Sequence, residues 1–216
     1  MNPKPIAVFA GTPVDTKMGA ECLEAHGLIP LMYPVSKDPH EQHMFQVSPL
    51  EEKHEILKTM LNDAISKDCD RAFIYCNSLS GAVCFPDLSK ELGLRIITPM
   101  DAHASLAANY RKLAVIAYNP QALSGIELAM MHANPDLTML TSSVMPVVFD
   151  IEKGFTPDEI IDRNHLEELC AYYTACGCEG LVLGCTHFPY LEDALSKRTA
   201  LPIIDPAEEM VRLLLK

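Results

Sequence analysis

Short apolar runs closed by small or turn-forming residues alternate along this chain with longer amphipathic stretches. Ile6-Ala-Val-Phe-Ala10 stops at Gly11-Thr-Pro13 and reads as a strand. Lys17 to His26 follows as a helix ended by Gly27, a residue that tolerates the left-handed turn after a helix. Ile29 to Tyr33 is a second strand, Pro49 opens an amphipathic helix through Lys67, and Arg71 to Tyr75 is a third strand that ends at Cys76. Leu79 to Leu92 is helical with an interruption at Pro86, and Leu94 to Thr98 is a fourth strand stopped by Pro99. This alternation predicts an α/β fold of parallel strands with helices on both faces.

The second half of the chain repeats the first. Ala7-Val-Phe-Ala-Gly-Thr-Pro13 aligns with Ala114-Val-Ile-Ala-Tyr-Asn-Pro120, and Leu94-Arg-Ile-Ile-Thr-Pro99 aligns with Leu201-Pro-Ile-Ile-Asp-Pro206. Between them, Cys69-Asp-Arg-Ala-Phe-Ile-Tyr-Cys76 aligns with Cys178-Glu-Gly-Leu-Val-Leu-Gly-Cys185 at nearly the same offset. Buried parallel strands share Val, Ile and Ala as a matter of course. They do not share a cysteine at the strand end followed by a polar residue, so the expectation is two pseudo-symmetric lobes with a cleft between them. The boundaries expected are 1–98 plus a returning helix at 207–216 for the lobe with Cys76, and 99–206 for the lobe with Cys185.

Composition narrows the class. The chain has 216 residues, 49% of them apolar, and a formal net charge of −12. That is enough apolar material for a core, and the charge opposes nucleic acid and anionic membrane surfaces as partners. No apolar run approaches the roughly 20 residues of a membrane span, and the first residues lack secretory grammar, so the cytoplasm is the expected compartment. There the eight cysteines are read as free thiols. Cys176-Gly-Cys178 is too tight for a zinc knuckle and no second pair follows, so no metal is expected.

In open α/β sheets ligands gather at the carboxyl ends of strands, where helix N-termini offer free N–H groups. Cys76 and Cys185 both fall at such ends. Two sulfurs facing each other across a cleft suit inversion of a carbon centre: one thiolate removes a proton from one face and the other thiol delivers a proton to the opposite face. Helix N-termini after both cysteines are expected to receive the substrate carboxylate.

Cys76-Asn-Ser-Leu-Ser80 resembles the Cys-Asn-Thr-Ala-Ser element, and Leu183-Gly-Cys-Thr-His-Phe-Pro189 the Leu-Gly-Cys-Thr-His-Tyr-Pro element, of the aspartate/glutamate racemase superfamily. The His after Cys-Thr points toward glutamate racemases. The resemblance implies a cofactor-independent racemase acting on a free acidic amino acid, glutamate or aspartate, with one catalytic cysteine from each lobe and a homodimer as the common assembly. It implies that Asn77, Ser78 and Thr186 bind substrate, that His187 supports Cys185, and that Glu152 assists His187. The family's Asp-Ser-Gly-x-Gly loop is altered to Ala10-Gly-Thr-Pro-Val14 followed by Asp15-Thr-Lys-Met-Gly19, which makes Asp15 the candidate acid near Cys76 and Thr16 a substrate contact. Aspartate, hydantoin-type or other carboxylate substrates on the same scaffold are alternatives, as is a binding protein that no longer turns its ligand over. Cys69, Cys170, Cys176 and Cys178 are expected as packing residues. His103 is assigned first to the surface or a helix cap, with a place lining the cleft as the alternative, and His40, His43, His54, His132 and His165 are assigned to solvent.

Overall fold

The computed structural model describes residues 3–216. Its strands are β1 (Ile6–Ala10), β2 (Pro30–Pro34), β3 (Arg71–Ile74), β4 (Arg95–Ile97), β5 (Lys112–Ala117), β6 (Thr138–Ser143), β7 (Leu181–Gly184) and β8 (Ile203–Ile204). They form two all-parallel sheets of four strands, ordered β2-β1-β3-β4 and β6-β5-β7-β8. The order is the same permutation in both, so the strands matched by sequence hold equivalent places. In the central pairs Phe9 lies level with Ile74, and Ala117 with Gly184. Cys76 and Cys185 therefore leave their sheets from corresponding inner strands.

Every residue of β1 and β7 is buried, as expected for strands covered on both faces. The first core gathers Phe9, Phe73, Ile74, Leu23, Leu57 and Leu61 around one sheet. The second sheet has a cluster on each side, one around Ile116, Phe188 and Tyr173 and the other around Val115, Ile126 and Val182. The last helix, Ala207–Leu215, buries Ala207, Met210, Val211 and Leu214 in the first of these cores.

Local chemistry moves several boundaries. The first helix runs Pro13–Ala25, starting ahead of the expected Lys17. Thr12 and Asp15 form a capping box, and Pro13 supplies the fixed φ that suits a first turn. Gly27 ends it at φ 72°, as expected. The stretch after Cys76 holds two helices, Asn77–Ala82 and Phe85–Leu92. The break falls at Val83, which is extended, while Pro86 sits harmlessly in the first turn of the second helix. A helix at Pro39–Val47, unforeseen from the sequence, is capped by Asp38, whose side chain accepts the Glu41 N–H.

The halves meet through the helices Asn77–Ala82 and Pro120–Ala133. A Cβ on Gly125 would lie 2.7 Å from Gly81 Cα, and one on Gly81 would lie 2.8 Å from the Gln121 carbonyl oxygen. Only glycine at both positions lets these backbones touch.

Candidate active site

The turn after β1 brings Asp15 to the interface between the halves. Its carboxylate accepts N–H bonds from Gly11 (3.1 Å) and Thr12 (2.6 Å) and the Thr12 hydroxyl at 2.9 Å. Burial pushes its pKa up, against the pull of His187 and of these bonds. The end of β3 delivers Cys76, Asn77 and Ser78, and the end of β7 delivers Cys185, Thr186 and His187. Asp15, Cys76, Asn77, Ser78, Cys185, Thr186 and His187 line one cavity, joined by Gln42, Tyr118, Val148 and Gly184. The two sulfur-bearing strand ends thus converge from opposite halves.

The two thiols have different surroundings. His187 Nδ1 lies 3.8 Å from Cys185 Sγ, and its Nε2 lies 2.9 Å from Glu152 Oε1. Thr12 Oγ also lies 3.0 Å from the same Glu152 oxygen, so its one proton is shared between Asp15 and Glu152, tying the halves together. Burial alone would lower the His187 pKa, but the hydrogen bonds to Cys185 and Glu152 and the charges of Cys185 and Asp15 outweigh it, and the value is raised to about 10. In its protonated form the ring donates from both nitrogens. Cys76, by contrast, is pushed up to about 12 by burial and by Asp15, with the Ser78 hydroxyl and the Leu79 N–H working the other way. It is a neutral thiol at neutral pH.

Several sequence readings need correction. His103 is neither a surface residue nor a cap: it is fully buried, and its Nε2–H donates to Asn77 Oδ1 at 2.6 Å. Burial lowers its pKa to about 3, so the ring is neutral. Helix starts do not follow both cysteines either. A six-residue helix follows Cys76, but Cys185 leads into a 3-10 turn at Phe188–Leu191 that runs on into a short α-helix at Glu192–Ser196. Thr16 is buried beside the cavity without lining it, and its hydroxyl donates to the Thr12 carbonyl at 2.6 Å. Glu152 reaches the cavity through His187. Cys69, Cys170 and Cys178 are buried, and Cys176 is half-buried. His43 is half-buried with a shielded Nδ1, and His54 pairs with Glu91 at 3.1 Å, so neither is simply solvated.

Sequence reasoning missed Gln42, Gln46, Asn119 and Tyr118. Gln42 Nε2 donates to Cys76 Sγ and to Ser78 Oγ, each at 3.2 Å, and Gln46 Nε2 donates to Ser78 Oγ at 2.6 Å. Among the described residues no group of three or more His, Cys, Asp or Glu is placed to hold a metal ion. No helix there is long and apolar enough to cross a membrane.

A family model described as Asp/Glu/Hydantoin racemase matches residues 110–214. A glutamate racemase of Limosilactobacillus reuteri is 29% identical over 153 residues, which are 68% of this chain and 57% of that protein. A glutamate racemase of Thermus thermophilus is 28% identical over 150 residues, covering 64% and 51%. The chain spans little more than half the length of these relatives. Among solved structures, glutamate racemase from Francisella tularensis in complex with D-glutamate superimposes with a TM-score of 0.77 at 19% identity, over 100% of this chain and 81% of that one. An aspartate racemase homologue from Pyrococcus horikoshii does so with a TM-score of 0.72 at 15% identity, over 99% and 100%. These likenesses speak for the fold. The resemblance to Asp/Glu/hydantoin racemases expected from the sequence therefore holds, in sequence over residues 110–214 and in fold across the chain.

Proposed function

We propose that this protein is a cofactor-independent amino-acid racemase that inverts the α-carbon of an acidic amino acid with Cys76 and Cys185 as paired proton carriers. The observation that carries the reading is the meeting of these two cysteines, one from each half, at a single cavity with Asn77, Ser78, Thr186 and His187. The glutamate racemases among its relatives make glutamate the first candidate and aspartate the second. No lysine or arginine lines the cavity, so both substrate carboxylates would rest on neutral donors. Asn77, Ser78 and Thr186 supply such groups. Residues 1–98 with 207–216 form one lobe in this reading and 99–206 the other, and the family's homodimer and cytoplasmic setting come with it.

One direction of the reaction starts at the Cys185 sulfur, which serves as the base beside the His187 ring that Glu152 holds in place. It takes the α-proton from one face, the electron pair stays on the α-carbon and its carboxylate, and the thiol of Cys76 delivers its proton to the other face. The opposite enantiomer runs the same path backward. Asp15 acts on Cys76 by charge and keeps it a proton donor.

The cavity leaves about 10 Å³ for a water-sized sphere, room for roughly one water. An amino acid enters only when the halves part. In D2O without added cofactor, proton NMR on L- and D-glutamate and L- and D-aspartate should show loss of the α-proton and growth of the mirror image for one pair. Absence of exchange with all four would remove acidic amino acids as substrates.

A further inference from the structure

Resting on the two-thiol reading, we propose that Asn119, Gln46 and Gln42 are positioning residues that aim the Ser78 hydroxyl at the sulfur of Cys76 and favour its thiolate without any cation. The argument is one of donor counting. Asn119 is fully buried at the start of the helix Pro120–Ala133, and its Oδ1 accepts the Ala122 N–H at 3.0 Å. A backbone N–H can only donate, so that amide has one orientation, with its NH2 turned to Gln46 Oε1 at 2.6 Å. With its carbonyl taken, Gln46 presents its NH2 to Ser78 Oγ at 2.6 Å. One N–H of Gln42 also reaches Ser78 Oγ at 3.2 Å. A hydroxyl oxygen has two lone pairs and one proton. Two donors fill the lone pairs, and the proton goes to Cys76 Sγ, 3.5 Å away. The second N–H of Gln42 meets the same sulfur at 3.2 Å.

The result is a one-way chain from a helix cap in one half to the thiol of the other. It meets a need. The charged or ionisable groups acting on Cys76 are Asp15 and Cys185, and both oppose a thiolate there. Hydrogen bonds to a charged acceptor are the stronger kind, so aligned neutral donors favour a thiolate at Cys76, whereas Cys185 has the His187 ring beside it. Two halves alike in topology thus prepare their sulfurs by different means. The chain also explains why the helix Pro39–Val47 buries Gln42 and Gln46, one turn apart, instead of apolar side chains.

Asn119→Asp tests the direction of the chain. The new carboxylate still accepts the Ala122 N–H, so the cap survives, but it cannot donate. Gln46 then turns its NH2 to it and offers its carbonyl to Ser78, whose proton leaves the sulfur. Gln46→Met breaks the chain without adding charge. Iodoacetamide alkylation of each cysteine, followed by peptide mass spectrometry, reads access and thiolate fraction together, so the rate at Cys76 is taken as a ratio to that at Cys185, which lines the same cavity, with the exposed Cys84 as the outside reference. Alkylation of Cys76 should slow about tenfold in both variants, the effect of one pKa unit, with Cys84 and Cys185 unchanged. Wild-type rates at Cys76, or an equal change at every cysteine, would overturn the proposal. If the wild-type protein exchanges no amino-acid α-proton, the racemase reading fails, while the alkylation comparison still decides the chain.

Discussion

His103 offers a sharp test of how burial acts in this fold. It is fully buried on the helix Pro99–Ala107, and its pKa falls from 6.5 to about 3 through burial. An unfolded chain takes up a proton on this ring near pH 6.5, whereas the folded protein does so only near pH 3. Between those values the unfolded state holds one more proton, so stability falls as pH falls, by about 1.4 kcal/mol per unit. From pH 6.5 to pH 4 that amounts to about 3.4 kcal/mol. His103→Gln keeps an N–H able to reach Asn77 Oδ1 and takes up no proton. Urea unfolding of both proteins at pH 7 and pH 4 gives a double difference in which the shared carboxylates cancel. The variant should lose about 3 kcal/mol less than the wild type on acidification. A double difference below about 1 kcal/mol would mean that the ring is protonated in the folded state and that the argument from burial is wrong.

Three further outcomes follow from the same geometry. Cys76→Ser and Cys185→Ser should each slow racemisation by about 100- to 10,000-fold, the range of a lost acid or base, as read by polarimetry; either variant at the wild-type rate contradicts the two-thiol scheme. Glu152→Gln keeps the shape of the bond to His187 but removes its charge, and kcat should fall about 10- to 100-fold for the loss of a charged hydrogen bond. The same His187 contact stabilises the fold fully below pH 6.5, and that contribution is lost as pH rises toward about 10; thermal melts over this window should decline in the wild type and be flatter in Glu152→Gln. Gly125→Ala places a methyl 2.7 Å from Gly81 Cα and should cost about 1–3 kcal/mol in denaturant unfolding, whereas unchanged stability would show that the two helices part freely.

The strands and the two sulfur positions were legible in the sequence because their signals are local. Ile6 to Ala10 is an unbroken apolar run, Gly27 supplies a left-handed stop, and the cysteines stand at matching strand ends. The helix Pro39–Val47 was not legible, because its inward face is Gln42 and Gln46 and carries no apolar period. His103 follows a proline and an aspartate in a turn-like context, and only the packing of distant elements shows that it is enclosed. The contact of Thr12 with Glu152 joins residues from opposite halves, and no spacing rule reaches that far. The Asn119 amide looks in sequence like any helix cap, and its second partner, Gln46, belongs to the other half. Topology was written in repeats and periodicity, whereas the preparation of each thiol lies in long-range hydrogen bonds.

The central claim is that two thiols on opposite faces share the work, and the isotope content of the first product formed tests it most directly. A single enantiomer of the substrate is incubated in D2O, and the reaction is stopped while most of it remains. The account predicts that the mirror-image product carries solvent deuterium at its α-carbon and that the recovered substrate retains its hydrogen, since the group that removes the proton is not the one that returns it. Product that carries the substrate's own hydrogen, or deuterium that accumulates equally in recovered substrate and product, would mean that one group serves both faces and would contradict the account.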